Sequence, residues 1–340
     1  MRSSRLFIIA VVLFFAAPLQ AAEFTMMLSH AGPASDINDD YVGATAIKSY
    51  IEEKSQGKVE VEIYPGNQLG NYQEVMEQVQ ADAVQAVHTS IAGITPFMPE
   101  LAVLDLQYVI PGDEVVYKLM EGDFFDQMGE AVKSKLSNVV LAGVSDGGRW
   151  RSFYTTDKQI KSAADMKGMK IRTINSPLQQ EFVNKLGGSA TPVSWGELYT
   201  ALATGVVDGT KNATPDIISN KFNESIKFGT LDRHTFLFGF YWVSEAWLNT
   251  LPEDTRQVVL DGFVHGSAVQ TKFNKNQEDI ANKTFVDGGG VIYEPNAEER
   301  ESFLFARDAM MDWYKGKYGD KWLNVLITAV DKAKMEAGVK

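Results

Sequence analysis

Val59, Val61 and Ile63 alternate with Glu60 and Glu62, the period of two that sets one strand face in a core and the other in water. The pattern around this strand is regular. Glu23–Leu28 reads as a first strand, followed by the loop Ser29–Ser35, and Asp39–Ser55 as an amphipathic helix stopped at Gln56-Gly57. After the alternating strand, the turn-rich loop Pro65–Asn71 feeds a helix over Tyr72–Ala81, and the apolar stretch Ala83–His88 leads to the loop Thr89–Pro99. A β-α-β-α-β run of this kind predicts an α/β domain with crossover helices.

Further along, Val115–Leu136 is mostly helical and Asn138–Val144 is a buried-strand candidate. Asp146-Gly147-Gly148 breaks the pattern, and a crossover to a second domain is expected there, with Arg149–Tyr154 following at once. Lys167-Gly168 marks a turn; Met169, Ile171 and Ile174 belong to a short buried strand, which ends before Ser176-Pro177. Helices are predicted over Pro177–Leu186 and Trp195–Ala203, and a short strand and turn over Val206–Gly209. The aromatic stretch Phe236–Val243 predicts a core strand returning the chain to the first domain. Helical stretches at Glu253–Val286 and Ala297–Tyr314, separated by three glycines and the strand Val291–Tyr293, finish the molecule. No repeat or low-complexity linker is visible.

The amino terminus changes the picture of where the chain works. Arg2 and Arg5 precede the apolar run Leu6–Ala17, and small residues end at Ala21-Ala22. This is the layout of a secretory signal peptide over residues 1–22, too short for a comfortable membrane span, and it predicts an exported protein. Leu19 stands where a cut after Ala21 prefers a small residue, so the cleavage site stays open, as does an uncleaved anchor. The 340 residues, 45% of them hydrophobic, suffice for two domains. There is no cysteine, hence no disulfide, thiol nucleophile or thiolate metal site. The formal charge of −12 argues against nucleic acid as a partner.

Catalytic signatures are absent from the sequence. The four histidines are scattered, and no His-Glu-x-x-His helix, nucleophile elbow, phosphate loop or dinucleotide fingerprint is present. No cofactor or metal is expected, although a dispersed enzyme site would escape such a search. Asp39-Asp40 and Asp123/Asp126 read as solvated surface. What remains is a set of polar and aromatic residues in loops at presumed strand ends: His30, Asn71, His88, Ser90, Arg151, Arg172, Trp195 and Asn212. They come from both halves of the chain, as a cleft between two domains requires. Arg172 is the central one, since ligands of open α/β sheets bind beyond the carboxyl ends of strands and a guanidinium there grips a carboxylate with two parallel hydrogen bonds. Each has a plainer alternative: Arg172 in a surface ion pair, the histidines and Trp195 in the core, Asn212 in a turn.

The segments Arg-Ser-Phe-Tyr-Thr-Thr (151–156), Ala-Asp-Met-Lys-Gly-Met-Lys-Ile-Arg (164–172) and Trp-Gly-Glu-Leu-Tyr-Thr-Ala-Leu-Ala-Thr-Gly-Val-Val-Asp-Gly (195–209) resemble the DctP family, the solute-binding proteins of TRAP (tripartite ATP-independent periplasmic) transporters. Ser-Gln-Gly-Lys-Val-Glu (55–60), Tyr-Pro-Gly-Asn-Gln-Leu-Gly (64–70) and Leu-Pro-Glu-Asp (251–254) extend the resemblance over the mature chain. It implies a periplasmic-binding-protein-like α/β fold: two domains with hinge segments and a long connecting helix, closing on one small molecule. On that frame, domain I takes residues 23–148 with about 238–275, and domain II takes 149–237 with about 276–335. The resemblance also implies a function: capture of a small organic acid in the periplasm and delivery to membrane permease subunits, by a monomer.

By the same resemblance, Arg172 salt-bridges the ligand carboxylate, Asn212 hydrogen-bonds it, Trp195 packs on its carbon skeleton and Arg151 lines the cleft. His30, Asn71 and Ser90 match loops at the variable end of the ligand, and His88 belongs with them. The chain departs from the family at Lys211, where members often have Glu. Facing the cleft, Lys211 would suit a second anionic group; facing solvent, it implies nothing. A small sulfonate as ligand, an exported enzyme acting on a small acid, and a sensory role remain alternatives.

Overall fold

The computed structural model describes residues 21–339. The proposed signal peptide therefore lies almost wholly outside the described residues. Nine strands occur in chain order: β1 (Phe24–Ser29), β2 (Val59–Tyr64), β3 (Ala86–Thr89), β4 (Val139–Thr155), β5 (Lys170–Thr173), β6 (Ser189–Pro192), β7 (Gly209–Asn212), β8 (Phe228–Ser244) and β9 (Val291–Tyr293). They form one sheet in the order β2-β1-β3-β8-β4-β7-β5-β6, with β9 beside β8. At one end β2, β1 and β3 are parallel, and at the other β7, β5 and β6 are parallel. Between them runs an antiparallel pair, β4 and β8, of 17 residues each.

That long pair corrects the expectation that the strand Asn138–Val144 ends before Asp146-Gly147-Gly148. The strand continues through a bulge, where the register with β8 slips between Asp146 and Arg149. The bulge is held by the Asp146 side chain, whose Oδ1 accepts the backbone N–H groups of Gly148 at 3.1 Å and Arg149 at 2.7 Å. Gly148 takes φ of +131°, a region that side chains with a Cβ rarely adopt. A bulge re-aims a strand without ending it, so Arg149–Tyr154 stay in the same ladder.

Other boundaries moved for local reasons. The predicted helix over Val115–Leu136 is two helices, Asp113–Glu121 and Phe124–Lys135, divided at Gly122. The strand expected at Val206–Gly209 instead starts at Gly209, and Val206 is exposed. The helix expected to end at Tyr314 runs to Tyr318, and a further helix, Lys321–Ala337, follows.

The helix Glu253–Asp287 is 35 residues long, roughly 50 Å at 1.5 Å per residue. It lies along the helix Asp39–Lys54, whose Ile47 and Ile51 nest on its glycines. A Cβ at Gly262 would come within 2.5 Å of Ile51, and one at Gly266 within 2.2 Å of Ile47. The two helix backbones therefore approach closely, and this contact belongs to the core of Met26, Leu28, Ala44, Val59 and Val61. One turn beyond, Gln270 and Asn274 are fully buried on the same helix.

Candidate functional site

The short strands β1, β3, β5 and β7 end close together, and the bulged stretch of β4 and β8 passes the same place. The resulting cavity of about 60 Å³ is lined from both ends of the sheet, which corresponds to roughly four to six waters. One wall carries Arg151, Arg172, Gln179, Trp195, Lys211 and Asn212; the facing wall carries Asp39, Asp40, His88 and Ser90, with Asp216 between them.

Arg172 stands on β5, one residue from its end, and is 4% exposed. Its Nε donates to the Val193 carbonyl at 2.9 Å, its guanidinium lies 5.6 Å from the Trp195 ring centre, and Nη2 is buried without a partner. No carboxylate among the described residues forms an ion pair with it. Burial, helped by repulsion from Arg151, pulls its pKa down to about 9. Arg151, on β4, donates from Nη1 to Asp105 Oδ1 at 2.6 Å, and Gln179 donates to Asp105 Oδ2 at 2.7 Å. Lys211 faces the cavity, not solvent, and donates to Gln179 Oε1 at 2.7 Å. Asn212 also lines the cavity, with its amide engaged by protein: Oδ1 accepts from Thr210 Oγ1 at 2.7 Å and Nδ2 donates to Asp216 at 3.2 Å.

Two expected site residues are placed elsewhere. Asn71 caps the helix Tyr72–Gln80: its Oδ1 accepts from the N–H groups of Gln73 and Glu74, and Glu74 accepts from the Asn71 N–H at 2.8 Å. The capping box keeps that side chain out of the cavity lining. His30 is 1% exposed and sits behind Asp40, its Nδ1 4.0 Å from the carboxylate, with burial pulling its pKa down to about 4. His88 and Ser90 do line the cavity. His88 Nδ1 lies 2.9 Å from Asp40 Oδ1, and Ser90 caps the turn that follows β3.

Of the two acidic pairs read as solvated surface, Asp123 and Asp126 are exposed, and the other pair is corrected. Asp39 and Asp40 are not solvated surface; they form the first turn of the helix Asp39–Lys54, whose amino end points at the cavity. Asp39, 7% exposed, accepts from Gln270 at 2.9 Å and from Asn274 at 3.0 Å. Burial raises its pKa and Asp40 adds to this, against the two hydrogen bonds. For Asp40 burial also acts upward, but His88, His30 and the Gly32 N–H outweigh it and hold the carboxyl below its ordinary value. Asp216 is pushed up to about 8 by burial, with Asp39 contributing. Asp216 and Gln179 carried no sequence signal of their own; only the polar pair Gln270/Asn274, four apart on a helix, hinted that something polar faced it.

A cavity enclosed by side chains from both ends of a sheet, with an unpaired guanidinium in its wall, defines a protein that encloses a small polar solute. No helix among the described residues is long and apolar enough to cross a membrane. The family described as bacterial extracellular solute-binding protein, family 7 (DctP), matches residues 28–317, and the chain belongs to it. It is a solute-binding protein of the TRAP transporter class, and this family serves transport rather than catalysis.

Relatives agree along most of their length. The C4-dicarboxylate-binding periplasmic protein DctP of Rhodobacter capsulatus is 28% identical over 263 residues, 77% of this chain and 78% of the relative. A solute-binding protein of Chromohalobacter salexigens is 26% identical over 296 residues, 86% of each chain. Among solved structures, a TRAP periplasmic solute binding protein of Anaerococcus prevotii with bound D-glucuronate superposes with a TM-score of 0.85 at 26% identity, covering 92% of this chain and 99% of that one. The sugar acid binding protein DctPAm of Advenella mimigardefordensis, in complex with galactonate, has the same fold at a TM-score of 0.87 and 21% identity, covering 92% of this chain and 100% of that one.

Proposed function

We propose that this chain captures a small organic acid in the periplasm and hands it to the membrane permease subunits of a TRAP transporter. The observation that carries the reading is Arg172: a buried guanidinium at the cavity wall with no carboxylate partner among the described residues and an unused Nη2. Such a cation is costly to bury alone and is relieved by an anion that accepts its remaining hydrogen bonds. The relatives support it by what they bind, a C4-dicarboxylate and D-glucuronate.

In this reading residues 23–148 with about 238–275 form one lobe, and 149–237 with about 276–335 the other. The solute first meets one wall; closure brings the second wall to it, and the closed state is favoured because only there do both walls touch the solute. The leader at residues 1–22 directs export, and the protein works as a monomer. Trp195 packs on the carbon skeleton, while His88, Ser90 and the Asp39/Asp40/Asp216 wall select the far end of the solute. Titration calorimetry with a panel of small organic acids tests the assignment: Arg172→Ala should lose most affinity for whichever acid binds. Binding within tenfold of the unaltered protein would sink it.

A further inference from the structure

The cation side of the cavity holds more positive charge than one carboxylate needs. Arg151, Arg172 and Lys211 all line it, and the one carboxylate in hydrogen-bond contact with any of them among the described residues is Asp105, which serves Arg151 and Gln179. Lys211 is 4% exposed and its ammonium has one partner, the Gln179 amide oxygen. Among the described residues, two of its three donors therefore have no acceptor.

Strand geometry separates Lys211 from Arg172. Lys211 is paired with Phe153 on β4, so it leaves the same face of the sheet as Arg151. On β5, Ile171 is paired with Gly209, which puts Arg172 level with Thr210 and on the opposite face. The two cations thus approach the cavity from the two sides of the β5–β7 edge. Across from them, Asp40 is engaged by His88, Asp39 by Gln270 and Asn274, and Asp216 by Asn212. None of these carboxylates serves as a counter-ion to Lys211.

We propose that Lys211, with Gln179 and Arg151, forms a second anion subsite, so that the solute is a diacid with one carboxylate on Arg172 and the other on Lys211. This rests on the organic-acid reading above and narrows it. Burial, then the repulsion of Arg151, holds Lys211 well below the ordinary lysine range. A carboxylate placed beside it favours the charged ammonium, as Asp105 and Asp232 already do from further away. A neutral or hydroxylated end would leave the subsite unmatched.

The test compares malonate, succinate, glutarate, adipate, malate and tartrate with their own half-amides, which keep the shape and remove one charge. The unaltered protein should bind at least one diacid about a hundredfold more tightly than its half-amide. In Lys211→Met the preference should vanish, and Lys211→Arg should retain it. Gln179→Glu, which sets a built-in carboxylate against Lys211, should also erase it, and serves if Lys211→Met does not fold. Equal binding of diacid and half-amide by the unaltered protein overturns the proposal, as does a Lys211→Met that weakens both by the same factor. If Arg172→Ala abolishes monoacid binding while no diacid preference exists, the subsite alone falls. If Arg172→Ala leaves every acid bound, the parent reading falls with it.

Discussion

Replacing Arg172 by Ala should have opposite effects on the liganded and the empty protein. With solute bound, the substitution leaves a carboxylate desolvated without its partner, at a cost of about 3–5 kcal/mol, or roughly two to three and a half orders of magnitude in affinity. Thermal unfolding reads this directly. At a solute concentration 100 times the dissociation constant, the unaltered protein gains about 2.7 kcal/mol, roughly 5 °C for a chain of this length. At the same concentration the variant is at best half-saturated and gains about 0.4 kcal/mol or less, under about 1 °C. Empty, the protein loses little. Arg172 carries a pKa depressed to about 9 by burial, so its charge costs stability below that pH, and the cost is relieved only as the pH rises from 9 towards the unfolded value. Removing it returns a penalty on the order of a few kcal/mol, set against the lost Val193 hydrogen bond and the packing on Trp195. The empty variant should therefore melt at or above the temperature of the unaltered protein at pH 7. A variant that melts several degrees lower while keeping its affinity would make Arg172 a structural residue and refute the reasoning.

Other substitutions separate site from scaffold. Asn71→Ala should cost about 1 kcal/mol by removing the capping box, seen in urea denaturation, with solute affinity unchanged; a large loss of affinity would return Asn71 to the site. Asp216→Asn tests the acidic wall through pH. Its carboxyl is raised to about 8, so the folded state holds a proton that the unfolded chain releases, and stability falls as the pH rises from the unfolded value through 8. The variant should match the unaltered protein near pH 4 and exceed it at pH 9, and parallel stability–pH curves would contradict this. Gly239→Ala would place a Cβ 2.4 Å from His88 Nε2 and 2.5 Å from Ser145 Oγ. It should cost about 1–3 kcal/mol and pull His88 from Asp40; an unchanged melting temperature and an unshifted His88 proton resonance would count against that packing.

Much of the framework was legible locally. The alternation at Val59–Ile63, the helix from Asp39 and the long helix from Glu253 agree with the structure to within a residue or two at the ends read. These elements bury one face each, and burial of a face is written in periodicity. Arg172 could be placed near a strand end for the same reason. The continuation of β4 could not, because Asp146-Gly147-Gly148 is equally good as a turn; only β8 alongside makes it a bulge.

The site divides along the same line. Sequence alone determined that a few polar residues sit at strand ends, that no cysteine chemistry is possible, and that Arg172 lies in a motif shared with a solute-binding family. Which of those residues meet was decided by tertiary structure. Asp39 and Asp40 look the same in sequence whether a helix start faces water or a cavity, and the Gln270 and Asn274 that hold Asp39 lie 231 and 235 residues away. Asn71 and Lys211 were ambiguous in the opposite sense: a local capping box took one out of the cavity, and pairing with Phe153 on β4 turned the other into it. Periodicity reports which face of an element is buried, whereas partners so distant along the chain are set by how the elements pack.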